Sequence, residues 1–141
     1  MKKARNAFLM LNLIWGLPMN VVGAVVAVCL LAIGKRPERY GDCWCFTVGK
    51  GWGGVSFGLV MVVADGASKH TKNHEHGHAV QNALLGVFMP FIVSIPSAIR
   101  YWYRRLVDRR GKANGLPPYD SAWFEGQATR WGTEYINRFG D

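Results

Sequence analysis

From position 6 to position 34 the chain carries no charged side chain, and 29 consecutive uncharged residues in a protein of 141 leave few folds open. The apolar body of that run, 8–33, would extend roughly 39 Å as a helix, against about 30 Å for the hydrocarbon core of a bilayer. It is long enough to cross once with tilt and too short to cross twice. Gly16 and Pro18 predict a kink near its middle. Trp15, Asn12 and Asn20 give it one face that meets protein instead of lipid. A cleaved signal sequence would also begin with basic residues, as Lys2, Lys3 and Arg5 do here. Its apolar core, however, is only about 7–15 residues and ends at a small-residue cleavage site. The run is therefore read as a retained transmembrane helix, an N-terminal anchor over 1–34.

What remains, 35–141, is one domain of ordinary size. Half of all residues are hydrophobic and only 18% are charged, which excludes a disordered chain. Three cysteines cannot close a disulfide framework. Residues 43–48 have strand composition, 49–54 form a glycine-rich turn, and 55–64 are rich in β-branched residues, so a β-hairpin is expected. Gly58 inside the second strand points to a bulge or to the close approach of another backbone. The glycine turn is no phosphate loop, because no G-K-[ST] and no helix follow it. Ser68 or Thr71 can cap a helix over 72–85 that Gly86 ends.

That helix carries His74-Glu75-His76-Gly77-His78, which satisfies H-E-x-x-H. Residues i and i+4 stack on one helix face, so His74 and His78 present two imidazoles to one Zn²⁺. Glu75 lies beside them, within reach of a water on the metal, as a general base. Four histidines and four glutamates would produce the pattern by chance in about 0.3% of such chains. A histidine-rich metal store is a poorer reading. His70 lies two turns from His78, roughly 12 Å along the axis, and His76 points nearly opposite.

The third ligand must come from the few other acidic residues. Glu125 is the best placed, on a helix that Asp120 or Ser121 would cap after Pro117-Pro118. Glu125, Ala128, Thr129 and Gly132 share a face, and its small residues allow another helix to come close. His74-Glu75-x-x-His78 followed by Glu125-x-x-Ala128-x-Arg130-x-Gly132 resembles the membrane gluzincins of the HtpX and CAAX-prenyl-protease type. The resemblance implies that Glu125 is the third zinc ligand. It also implies that 55–64 is a substrate-aligning strand, with Val55, Phe57, Gly58 and Leu59 along it. The aspartate of the family's E-x-x-A-D motif is Thr129 here, a hydroxyl that can orient a neighbour but brings no charge. Arg130, Tyr119 and His70 are candidate oxyanion donors.

Residues 83–99 form a second apolar run, interrupted by Pro90 and Pro96 and followed by Arg100, Tyr101, Trp102, Tyr103, Arg104 and Arg105. If His78 and Glu125 share a metal they lie on one side of the membrane, so the crossings between them must be even in number. Seventeen residues cannot cross twice. The membrane-embedded segment 83–103 is thus expected to be re-entrant or interfacial. Basic residues concentrate after the anchor, which with the resemblance puts the site on the cytoplasmic face. Net charge +8 could mean nucleic acid, but no nucleic-acid module is visible, and basic residues beside an apolar segment suit anionic lipid. There Cys43 and Cys45 would be free thiols.

The expectation is a membrane α+β protein: transmembrane helix, β-hairpin, zincin-like helix, re-entrant segment and glutamate-bearing C-terminal helix. It would be a zinc metallopeptidase acting on peptides or membrane proteins. The rival is a small cationic membrane protein that perturbs bilayers or binds a partner, its histidines incidental or structural. A structural zinc would need a fourth protein ligand, with Asp65 and Cys45 the nearest options.

Overall fold

The computed structural model describes residues 2–140. The uncharged N-terminal run is not one tilted helix. It forms α1 (Lys2–Ile14) and α2 (Leu17–Ala32), bent by 84° at the break, and no single described helix is long and apolar enough to cross a membrane. The cause is local. Pro18, in the first turn of α2, donates no hydrogen bond back into α1, and the N–H groups of Trp15 and Gly16 both turn to the Leu11 carbonyl (2.9 and 2.8 Å). Three asparagines satisfy the break. Asn20 Nδ2 donates to the Asn12 and Gly16 carbonyls (2.9 and 3.0 Å), and Asn82 Nδ2 donates to Asn12 Oδ1 and the Gly16 carbonyl (2.8 and 3.1 Å). Asn12 Nδ2 in turn donates to the Phe8 and Ala79 carbonyls (3.1 and 3.2 Å). The protein-facing side expected of Asn12 and Asn20 is thus the joint that fixes the bend.

The expected hairpin is a four-stranded mixed sheet in the order β1 (Glu38–Tyr40), β2 (Cys43–Thr47), β4 (Val60–Val63), β3 (Gly54–Phe57). Residues 55–64 are themselves a hairpin. Gly58 turns the chain at φ +64°, and Asn20 Oδ1 accepts the Leu59 N–H (2.9 Å) beside it. That folds β3 antiparallel onto β4, so β2 pairs with β4 in parallel, Trp44 opposite Val60 through Thr47 opposite Val63. β4 is buried on both faces. Cys43, Cys45, Met61 and Val63 pack with Phe8 of α1 and with Ala79 and Ala83 of the next helix. Phe46, Val60 and Val62 face Val26, Ala27 and Leu30 of α2.

α3 (Lys69–Leu85) begins at Ser68, whose Oγ accepts the Thr71 N–H (3.1 Å), and ends at Gly86. Short turns over Gly86–Phe88 and Pro90–Ser94 then fold the chain back by 117° into α4 (Ile95–Arg109). The inner arginines of α4 turn toward the protein. Arg100 donates to the carbonyls of Pro118 and Tyr119 (both 3.0 Å), Arg104 to that of Pro117 (2.6 Å) and Arg105 to that of Gly51 (3.4 Å).

α5 (Trp123–Phe139) lies against α3 more closely than side chains normally permit. A Cβ on Gly77 would collide with the Ala128 carbonyl, and one on Gly132 with the Asn73 carbonyl. α5 is tied to α1 through Asp42, which accepts from Arg5 Nη2 (2.8 Å) and from the Tyr135 hydroxyl (2.7 Å). Gly132→Ala is expected to push α5 outward, costing about 1–3 kcal/mol in chemical denaturation. The same displacement should weaken any metal binding by His74, His78 and Glu125, a coupling that a purely local packing defect would not produce.

Candidate metal centre

One turn apart on α3, His74 and His78 direct their Nε2 atoms at Glu125 Oε2 of α5, at 3.1 and 3.4 Å. The three ligand atoms lie within 4.8 Å of one another, and the residues are 8%, 7% and 0% exposed. Donors about 2.0–2.1 Å from a tetrahedral zinc ion stand roughly 3.3 Å apart, close to the separations between Glu125 and the imidazoles. Neither buried Glu125 oxygen makes a hydrogen bond of good geometry, a cost that a coordinated cation would remove. Two imidazoles and a carboxylate are also a suitable donor set for zinc. The residues present fit the ion, and among the described residues no fourth His, Cys, Asp or Glu joins them. Asp65 is an exposed partner of Lys50 (3.7 Å), and Cys45 is buried in the core beneath the sheet.

The electrostatics agree. Burial alone would raise the Glu125 carboxyl, but the facing imidazoles of His74 and His78 hold it well below the usual carboxylate range. For His78, burial opposes the charged form, yet Glu125 and Glu75 outweigh it and raise the imidazole. Without an ion, a proton held by His78 is what offsets the Glu125 charge, and a cation bound there would take its place.

Both ligating rings are oriented from behind. Thr129 Oγ1 donates its one proton to Asp120 Oδ2 (3.0 Å), so it accepts from His74 Nδ1 (2.8 Å). Gln81 Oε1 can only accept, so His78 Nδ1 donates to it (2.8 Å). Gln81 is held by its own amide, which donates to the Phe124 carbonyl (2.8 Å) and to Gln127 Oε1 (3.0 Å). With both Nδ1 atoms protonated, each Nε2 lone pair is free for a metal. Asp120 or Ser121 was expected to cap α5. Both lie instead in a short turn over Tyr119–Ser121, and the residue that precedes α5, Ala122, offers no side-chain cap. Asp120 thereby places a negative charge behind Thr129 from another element. Gln81, three residues beyond His78, was not singled out from the sequence, although its i, i+3 spacing places it on the same helix face.

Glu75 is buried beside the ligands, with its carboxylate against the backbone of Gly54 at the start of β3; a Cβ there would stand 2.8 Å from Oε1. Burial raises the Glu75 carboxyl, with His78 and His74 opposing the shift. A cavity of about 780 Å³ opens from this point between β3 and α4. Of the sequence candidates, Tyr119, His70, Val55 and Phe57 line it. The Tyr119 ring meets His74 edge-on at 6.0 Å, and its hydroxyl is 3.5 Å from Ser97 Oγ. His70 sits at the rim, 3.8 Å from Asp120 Oδ2. Arg130 is exposed on α5 and does not line the cavity, and Gly58 and Leu59 belong to the β3–β4 turn. His76 is a core residue between Phe8 and Tyr135, its pKa lowered by burial to about 4.

Comparison with protein-family models, with curated proteins and with solved structures gives no match. Thr129→Val and Asp120→Asn are expected to weaken zinc binding about 10–100-fold, measured by competition with a chelating dye. Wild-type affinity in both variants would remove the relay from the site.

Proposed function

We propose that this protein is a membrane-associated zinc metallopeptidase. The observation that carries the reading is the convergence of three buried candidate ligands, with no fourth among the described residues, beside a buried glutamate and an outer strand. A zinc ion held by His74, His78 and Glu125 supplies Lewis acidity and a more acidic water. The other roles fall to side chains. Glu75 takes a proton from the attacking water and returns it to the departing amine nitrogen as the C–N bond breaks, leaving a carboxylic acid and an amine. Burial raises its pKa, which makes the carboxylate a stronger base than an exposed glutamate. Burial keeps the Tyr119 phenol protonated, and that phenol is the hydrogen-bond donor for the developing oxyanion.

β3 is an outer strand of the sheet, and Gly54, Val55, Ser56 and Phe57 all border the cavity. An extended peptide pairs along that edge. The order of motifs, with Glu125-x-x-Ala128-Thr129-Arg130 downstream of H-E-x-x-H, supports kinship with membrane gluzincins. Asp120 acting through Thr129 replaces the charge that their motif carries directly.

Membrane association is supported by the two bent helix pairs, each apolar enough for a broken span or re-entrant loop. Ile14, Val28 and Ile33 on one pair, and Phe91, Ile99 and Trp102 on the other, are exposed. Exposed Lys35, Arg36, Arg109 and Arg110 flank them and suit anionic head groups on the cytoplasmic face. Glu75→Gln is expected to retain zinc while hydrolysis of a quenched fluorescent peptide falls about 10²–10⁴-fold. Turnover at the wild-type rate in that variant would overturn the mechanism, whereas a bilayer-active, non-enzymatic protein would hydrolyse no peptide in either form and would act on vesicles equally well with and without the substitution.

A further inference from the structure

We infer that the apolar floor of the cavity beside the metal centre is a subsite for one bulky apolar side chain, so the peptidase selects aromatic or long aliphatic residues next to the scissile bond. The inference rests on the peptidase reading and adds a specificity that pairing along β3 does not provide. The floor is Met19 of α2 with Met89 and Val93 of the fold-back, exposed 7%, 2% and 0%, and Phe57 of the edge strand packs against them. Apart from the metal-site residues, the charged or titratable groups on the lining are the exposed His70 with its partner Asp120, Arg105, which donates to the Gly51 carbonyl, and the tyrosines Tyr101 and Tyr119.

A strand added along β3 presents alternate side chains to one face, and on the cavity side the floor is the surface they meet. Methionines adapt to the shape of what they contact, so size and apolarity are selected more than outline. In such pockets each methylene changes kcat/KM by about 10-fold or more, whereas a charged side chain would be buried without a partner. The far wall belongs to one face of α4, where Ser97, Ala98, Tyr101 and Trp102 line the cavity. Ala98 is exposed there, so it can be enlarged without disturbing the core.

The test is equilibrium binding to full-length Glu75→Gln protein, zinc-loaded in detergent, by fluorescence anisotropy. The probes are five labelled peptides of one Gly-Ala background whose central residue is Ala, Leu, Phe, Asp or Lys. Leu and Phe should bind at least about 10-fold tighter than Ala, with Asp and Lys weaker than Ala. Ala98→Trp in the same background should erase the advantage of Phe, and Val93→Ala, which deepens the floor, should increase it over Leu. Equal affinities across the series, no binding, or an unchanged ranking in both variants would overturn the subsite. Wild-type protein offered the Phe peptide separates the two proposals. Selective binding without cleavage retires the peptidase and keeps the subsite, while cleavage of all five peptides at one rate does the reverse.

Discussion

A carboxylate with no exposed surface is tolerable only opposite positive charge, and Glu125 faces His74 and His78 where an ion held between the three would supply it. Much of the architecture serves that encounter. The three side chains come from two helices, and the helices must approach until backbone nearly touches backbone. Gly77 within the histidine motif and Gly132 on α5 make that approach sterically allowed. The glycine between His76 and His78 is thus a packing requirement of the site. Behind the rings, Gln81 and the Thr129–Asp120 pair fix which nitrogen carries the proton.

The rest of the chain holds this helix pair against an open strand edge. The break between α1 and α2 is pinned to α3 by Asn82 and to the β3–β4 turn by Asn20. One cluster of amides thereby sets where the N-terminal helices lie and where β3, after its course past Glu75, turns back into β4. From the other side, Arg100 and Arg104 hold the turn that carries Tyr119 and Asp120. Residues that look like a membrane anchor in sequence are also supports for the cleft.

The features legible in the sequence were those set by local spacing. Ser68, the i, i+4 histidines, Gly86 and the small face of α5 act within one or two helical turns, and the structure places each where that spacing implies. What escaped depends on long-range partners. Residues 55–64 have uninterrupted strand composition, and only Asn20, 39 positions from Leu59, makes Gly58 a turn. The parallel pairing of β2 with β4 follows from that turn and has no signature of its own. The uncharged run satisfied the length of a single span, but Pro18 lies where distant amides could stabilise a sharp bend. Asp120 has the residue type of a cap, and its role as the charge behind His74 depends on a fold-back that composition does not encode.

The central claim is that His74, His78 and Glu125 bind one zinc ion and leave a position open. X-ray absorption at the zinc edge of purified, zinc-loaded protein tests it most directly. The account predicts four nitrogen or oxygen neighbours at about 2.0–2.1 Å, with two of them showing the outer scattering of imidazole rings. A sulfur neighbour at about 2.3 Å, or an imidazole count other than two, would place the ion elsewhere and contradict the account.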